Sequence, residues 1–176
     1  NIFLYERSQK LINIQKKLLK NENIKWIKNF NRIKNWPVIF FGNEFFDAFP
    51  VKQYEIKNNK VYEKFIRLNK DMKIEYLLKI INKKVKRKLK KLELLNKQIF
   101  IEYPKLGLNE LSKVIKVIKK NNGGLLLIDY GFLQQKSINT IQSVKKHKRN
   151  KLFDNLGSAD ITSLVNFKLL EKYFKM

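Results

Sequence analysis

Side chains with polar oxygens follow an apolar run in the first third of the sequence. Asn43, Glu44 and Asp47 come after Val38–Phe41, a run of Val, Ile and Phe between a proline and a glycine. Such a run is typical of a strand that is buried on both faces of an α/β sheet. Open parallel sheets bind ligands just beyond the carboxyl ends of their strands, so we expect these side chains in a binding site. The alternative is that Asn43 and Asp47 cap a turn and that Glu44 is solvated.

Two further acidic residues stand at the ends of predicted strands. Glu6 follows the apolar segment Ile2–Tyr5 and precedes a helix that Ser8 can cap. An acid in this position hydrogen-bonds a ribose hydroxyl in dinucleotide-type folds. Asp129 ends a second apolar run, Gly124–Ile128. Because strand ends gather at one edge of such a sheet, the sequence predicts that these acids converge with the first group.

Hydrophobic periodicity predicts the elements that position these residues. Residues 52–73 alternate between apolar and polar around Asn58 and Asn59, which indicates a β-hairpin. From Ile74 to about Asn96, apolar residues recur at helical spacing with lysines between them. A basic amphipathic helix of this kind packs on the core, with a membrane or acidic partner as the alternative. A further helix, ended by Asn121 and the glycines after it, leads into the Gly124 strand, which gives half of a β-α-β unit.

The composition limits the classes of function. The net charge is +24, but only five of the 39 basic residues are Arg, and Lys, Asn and Ile are enriched together. Arg is preferred where phosphates and bases are read by a bidentate fork, so we interpret the charge as compositional drift and expect no specific nucleic acid. No apolar run approaches the roughly 20 residues that span a bilayer. The chain has no Cys and one His, so we predict neither a disulfide framework nor a metal site.

Well-known catalytic motifs are missing from the sequence. It contains neither a Gly-x-Ser-x-Gly nucleophile elbow nor a Gly-x-x-x-x-Gly-Lys-Ser/Thr phosphate loop. The residues are consistent with an α/β sheet that binds a nucleoside and has carboxylates facing a cationic or polar substrate. No repeat or linker divides the chain, so residues 1–176 are interpreted as one domain.

Five segments in the same order resemble the MidA-like methyltransferases. They are Tyr5–Ser8 with Leu11 and Gln15, Asn43–Val51, Gly123–Gly131, Thr140–His147 and Gly157–Phe167. The resemblance implies an S-adenosylmethionine-dependent enzyme with a Rossmann-like sheet, found in the bacterial cytoplasm or the mitochondrial matrix. Mitochondrial members act in complex I assembly by dimethylating an arginine of a complex I subunit. The implied partner is therefore a protein substrate, such as a complex I subunit. A homodimer is left open, because the sequence does not identify the oligomeric state.

The resemblance also implies roles for individual residues. Glu6 would bind the ribose hydroxyls of the cofactor, and Asn43 would contribute to the same site. Asn43, Glu44 and Asp47 would surround the transferred methyl group and the substrate as catalytic residues. Other positions fall in matching motifs without a separate role, namely Asp129, His147, Asp160 and Thr162.

Acidic side chains suit an arginine substrate for a reason independent of the resemblance. The guanidinium is protonated at neutral pH with a delocalised charge, so one nitrogen must be oriented along the line of the sulfonium methyl. Paired carboxylates can orient it through bidentate hydrogen bonds and stabilise the positive charge during transfer.

The chain also departs from the family pattern. The family's first strand with its Gly-rich loop would lie before Asn1, and its last strand would lie after Met176. Asn166 stands where the family commonly has Asp, and Leu156 where it commonly has Pro. We therefore expect a partial methyltransferase domain with an inserted hairpin at about residues 52–73, which binds cofactor weakly by itself. The alternatives are a non-catalytic assembly module and, on charge alone, a nucleic-acid binder.

Overall fold

The computed structural model describes residues 1–20, 23–34, 37–96, 98–134 and 136–176. It divides the chain into two compact units. The first unit comprises Asn1–Phe40 and Lys113–Leu125. The second comprises Phe41–Ser112 and Leu126–Met176.

The described residues form strands, many of them consecutive along the chain, with α-helices between some of them. The strands are β1 (Ile2–Tyr5), β2 (Ile24–Ile27), β3 (Ile39–Asn43), β4 (Lys52–Lys57), β5 (Lys60–Leu68), β6 (Ile74–Ile80), β7 (Phe100–Tyr103), β8 (Gly124–Ile128), β9 (Gly131–Phe132), β10 (Gln142–Lys145), β11 (Lys148–Asn150), β12 (Asp160–Thr162) and β13 (Val165–Asn166). The α-helices are α1 (Gln9–Leu18), α2 (Lys83–Lys91), α3 (Lys105–Asn121) and α4 (Phe167–Lys175).

The first unit contains a parallel β-α-β motif. Strands β1 and β2 pair from Ile2 opposite Ile24, and α1 connects them. Ser8 caps α1 as the sequence predicts, because its side chain accepts a hydrogen bond from the Leu11 N–H at 3.3 Å. The Phe30 ring packs between aromatic neighbours and is buried in this unit.

The second unit contains a four-stranded antiparallel sheet in the order β6-β5-β4-β7. The predicted hairpin is confirmed, since β4 pairs with β5 across the turn at Asn58 and Asn59. Both asparagines have left-handed backbones, with φ of 50° and 59°, as the twist of a two-residue hairpin turn requires. Tyr54 of β4 and Ile101 of β7 are almost completely buried beneath this sheet.

The prediction of one helix from Ile74 to about Asn96 is wrong in its first part. Residues 74–80 form β6, which pairs with β5 from Leu68 opposite Ile74, and the helix α2 begins only after Asn82. The Asn82 side chain accepts from the Val85 N–H at 2.9 Å and so marks the helix start. The spacing of apolar residues in a short segment fits a helix or a strand equally well. Here hydrogen bonding to β5 makes residues 74–80 a strand.

The two apolar runs form strands, as predicted, but they are not buried on both faces. β3 and β8 form a two-stranded sheet in the described part of the chain. Alternate side chains point into solvent, and Phe41 is 64% exposed while Leu126 and Ile128 are about half exposed. The period of two in a strand places neighbouring residues on opposite faces, and one face of this pair is exposed among the described residues.

Helix α3 ends at the predicted stop, but a different residue adopts the left-handed backbone. Asn122, rather than a glycine, has φ of 52°, and the Gly123 N–H donates to the Ile118 carbonyl at 3.2 Å. Gly123 serves a close approach instead, since an added Cβ would lie 2.1 Å from the Val38 carbonyl oxygen. The neighbouring Gly124 has no atom within 4 Å of an added Cβ.

These neighbouring glycines form a matched pair for a stability test. We expect Gly123→Ala to lower the free energy of unfolding by about 1–3 kcal/mol, because backbone must move to admit the methyl group. Gly124→Ala should change it by less than about 0.5 kcal/mol. Urea unfolding of both variants measures the difference, and equal values would contradict the packing of Gly123 on Val38.

Candidate active site

A strained turn carries the predicted catalytic acids. It comprises residues 44–49, follows β3 directly, and is called here the acidic turn. Its first residue, Glu44, has a left-handed backbone with φ of 46°, and its N–H donates to the Ile128 carbonyl at 2.8 Å. A left-handed backbone costs a non-glycine residue about 1–2 kcal/mol, and strain of this kind is concentrated at functional sites.

Asp129 holds the acidic turn in place. Its Oδ2 accepts hydrogen bonds from the backbone N–H groups of Phe46 at 2.8 Å and Asp47 at 3.3 Å. Its Oδ1 accepts from the N–H of Tyr130 at 2.9 Å. The carboxylate thus binds the polypeptide backbone on both oxygens. The sequence analysis gave Asp129 no separate role. In the structure its hydrogen bonds connect the end of β8 to the turn that follows β3.

Asp47 is the buried acid of the site. Its side chain is 9% exposed, and its carbonyl accepts from the Ser163 N–H at 3.1 Å. Burial raises the pKa of Asp47, and the charges of Asp129 and Glu44 raise it further. Backbone N–H donors act in the opposite direction but do not cancel these effects. The carboxylates of Asp129 and Glu44 therefore lie close enough to Asp47 to disfavour its charged form.

Three side chains of the acidic turn form an aromatic cluster. The rings of Phe45, Phe46 and Phe49 lie with centroids 5.2–5.7 Å apart, and two of the three pairs are edge-to-face. Gly107 of α3 packs against them, since an added Cβ would lie 3.2 Å from Phe46 and 3.3 Å from Phe49. The turn is therefore held by apolar packing as well as by Asp129.

The remaining motif residues lie on a three-stranded sheet with the order β11-β10-β12. His147 is exposed in the turn between β10 and β11, with φ of 60°. Asp160 is exposed and lies opposite Val144, while the Thr162 hydroxyl accepts from the Gln142 side-chain amide at 3.2 Å. Ser163, which follows Thr162, supplies the contact to the acidic turn. The structure thus connects the Thr162 end of this segment to the site.

Glu6 and Asn43 complete the set of predicted site residues. Glu6 lies in the first unit, half-buried, and its Oε1 accepts from the Ser8 N–H at 2.7 Å. Its second carboxylate oxygen can accept from a ribose hydroxyl, and that role stays a prediction. Asn43 is exposed at the end of β3, next to the strained Glu44.

Glu102 and Thr140 form a polar connection that sequence reasoning missed. Glu102 accepts from the Gln53 side chain at 3.0 Å and from the Thr140 N–H at 3.1 Å. The Thr140 hydroxyl in turn accepts from the Leu164 N–H at 3.0 Å, one residue after Ser163. Thr140 lies in one of the segments that match the family, and this could have identified it as a site residue. Glu102 has no such feature in the sequence and resembles an ordinary polar residue of a strand.

No group of three or more His, Asp or Glu side chains among the described residues is arranged to hold a metal ion. No helix in the described ranges is long and apolar enough to cross a membrane.

The fold is that of an α/β methyltransferase. A COG1565 superfamily member from Burkholderia thailandensis, solved with bound S-adenosyl-homocysteine, superposes with a TM-score of 0.75 at 16% identity, over 98% of this chain and 47% of that one. A native structure of a COG1565 superfamily protein from the same organism gives a TM-score of 0.77 at 16% identity, over 98% of this chain and 49% of that one.

The sequence defines the family. A model described as S-adenosyl-L-methionine-dependent methyltransferase matches residues 1–176, and the chain belongs to that family. The mitochondrial protein arginine methyltransferase NDUFAF7 homolog of Caenorhabditis elegans is 26% identical over 156 residues, which cover 87% of this chain and 36% of the relative. The chain thus spans about a third of this relative and about half of each solved structure.

The raised pKa of Asp47 predicts a pH-dependent stability. A pKa above the unfolded value of 3.8 means that this group favours folding below pH 3.8 and that the contribution is lost as pH rises through the folded pKa. Asp47→Asn should therefore raise the free energy of unfolding at pH 7 by about 1 kcal/mol, with a gain that shrinks toward pH 4.

Urea unfolding at a series of pH values measures this difference. Asp154→Asn, which neutralises an exposed carboxylate of the same unit, is the control and should change the free energy by less than about 0.5 kcal/mol. A loss of stability in Asp47→Asn at pH 7 would show that the ionised carboxylate is stabilising and would contradict the burial argument.

Proposed function

We propose that the protein transfers a methyl group from S-adenosylmethionine to a protein side chain, and that the side chain is an arginine. The observation that supports this best is the acidic turn, where Glu44, Asp47 and Asp129 are held close together at the end of two strands. Grouped carboxylates raise one another's free energy, so a cationic group placed among them is stabilised. A relative of this chain is named as a protein arginine methyltransferase, and arginine is a cationic substrate of the kind that grouped carboxylates favour.

Glu44 and Asp47 act on the substrate in this proposal. Their carboxylates accept hydrogen bonds from the guanidinium and orient one nitrogen toward the methyl group. Bound S-adenosylmethionine supplies an electrophilic methyl group on a sulfonium. As the nitrogen forms its bond to carbon, the carbon–sulfur bond breaks with its electron pair left on sulfur, and the nitrogen must lose a proton. Asp47 can accept that proton, because its raised pKa makes it a better base than an ordinary aspartate.

Asn43 and Glu6 serve the cofactor in the same proposal. Glu6 binds the ribose hydroxyls through its carboxylate, and Asn43 contributes at the end of β3. Asp129 is a positioning residue, since both of its oxygens bind backbone N–H groups. His147, Asp160 and Thr162 belong to the sheet that carries Ser163 toward the turn, and we assign them no direct step.

The proposal also covers the longer protein to which this chain would belong. Residues 1–176 form part of one methyltransferase domain, with residues 52–73 as an inserted hairpin, and the strands that complete the sheet and its Gly-rich loop belong to the remainder of the longer protein. The lengths of the matched relatives support this. The mitochondrial relative supports action in the matrix on a protein substrate, for which a complex I subunit is our candidate. A homodimer remains part of the proposal.

Charge-neutral variants test the catalytic roles in the full-length protein. We expect Glu44→Gln and Asp47→Asn to lower kcat about 100-fold or more, because each removes a charge that stabilises the transferring state. Binding of S-adenosylmethionine, followed by calorimetry, should change by less than about threefold, since neither residue is assigned to the ribose. Asp154→Asn is the control for both assays. Unchanged turnover in both variants would remove these residues from the mechanism.

The role of Asp129 is tested by separating its hydrogen bonds from its charge. Asp129→Asn keeps a side-chain oxygen that can accept from Phe46 and Asp47, whereas Asp129→Ala leaves both N–H groups without that acceptor. We expect Ala to cost about 1–3 kcal/mol of stability and Asn to cost less. Methyl transfer should follow the same order, and a full loss of turnover in Asn with intact stability would instead assign Asp129 to the chemistry.

A further inference from the structure

The far end of the β5–β6 hairpin presents apolar side chains to solvent. Leu68 lies opposite Ile74, and Ile66 lies opposite Tyr76, so these four residues share one face of the two strands. Leu68 is 54% exposed and Ile66 is 56% exposed. Met72, in the turn between the strands, is 73% exposed. We call these five residues the hairpin tip.

The hairpin tip is preformed by its own turn. The Asn69 side-chain oxygen accepts from the N–H groups of Asp71 at 3.0 Å and Lys73 at 2.9 Å, and the Asn69 N–H donates to the Lys73 carbonyl at 2.9 Å. Met72 adopts a left-handed backbone with φ of 58° in this turn. The backbone of the turn is therefore fixed by hydrogen bonds, and a contiguous exposed apolar patch of this kind marks an interaction surface.

Lysines flank the hairpin tip. They are Lys64, whose ammonium lies over the Tyr76 ring, and Lys70 and Lys73 in the turn, against the acidic residue Asp71, while Arg67 forms an ion pair with Glu75. The chain as a whole carries +24. A partner that fits this surface offers an apolar region to contact the exposed side chains and negatively charged groups around that region to pair with the lysines.

Two other occupants fit the surface less well. A second copy would bring a chain of charge +24 against its like, and β6, the edge strand that would pair, carries Lys79 on that edge. Nucleic acid would need an open ring for stacking, but Tyr76 already has Lys64 over its ring at 4.0 Å and Phe153 at 6.2 Å.

We propose that the hairpin tip docks on the surface of an anionic lipid bilayer, with Ile66, Leu68 and Met72 inserted among the headgroups and the lysines bound to lipid phosphates. Aliphatic side chains on an amphipathic element insert to the headgroup boundary, and each lysine near an anionic surface adds about fivefold in affinity. Such docking would hold the protein at a membrane surface and is independent of the proposed methyl transfer.

Co-sedimentation of the full-length protein with lipid vesicles tests the proposal. We expect binding to vesicles in which about a third of the phosphatidylcholine is replaced by phosphatidylserine, and at least tenfold weaker binding to phosphatidylcholine alone. Lys70→Gln with Lys73→Gln should weaken binding about 25-fold, from about fivefold per lysine. Leu68→Ser with Met72→Ser should weaken it by at least tenfold without changing the net charge.

Matched variants in α1 distinguish docking by the hairpin tip from general attraction of a basic protein. Lys10→Gln with Lys17→Gln removes the same charge from exposed positions, and Leu18→Ser removes an apolar side chain that is 78% exposed. Both should bind within about twofold of the wild type. Equal losses in the hairpin and α1 variants would overturn the proposal.

Failure to bind anionic vesicles would overturn it as well. A wild-type dimer that Leu68→Ser with Met72→Ser converts to monomer, together with no vesicle binding, would assign the hairpin tip to a second copy instead. Circular dichroism of each variant confirms folding, which exposed substitutions should preserve.

Discussion

The arrangement of the candidate active site depends on one carboxylate binding backbone N–H groups. Asp129, at the end of β8, accepts from Phe46 and Asp47 in the turn that follows β3. A charge-assisted hydrogen bond to a backbone N–H is stronger than a neutral one, and here it joins two segments more than 80 residues apart. Because of it, residues that are distant along the chain form one acidic surface.

Holding these acids together has an energetic cost that the surrounding structure offsets. Glu44 has a left-handed backbone, and Asp47 is buried beside other negative charges. The aromatic cluster of Phe45, Phe46 and Phe49 within the turn supplies apolar packing. Under the proposed function, a cationic substrate would offset both the strain and the grouped negative charge of this turn.

Much of the local structure could be predicted from the sequence. Ser8 capping α1, the turn at Asn58 and Asn59, and the strand that begins at Gly124 follow from short-range rules on capping, turns and hydrophobic runs. The family could be identified as well, because five ordered segments are a far more specific signal than any one motif. The helix predicted from Ile74 failed, because a pairing partner decides between strand and helix for a short apolar run.

The sequence by itself determined which acids stand at strand ends and which chemistry they suit, because residue types and their spacing are local properties. Only the tertiary structure decided that Asp129 binds the backbone while Asp47 is buried with a raised pKa, and that Ser163 and Thr140 connect to the site. The exposure of Phe41 and of the hairpin tip was likewise decided by packing. Burial, electrostatic coupling and hydrogen-bond partners arise between segments far apart in the chain, so no local pattern encodes them.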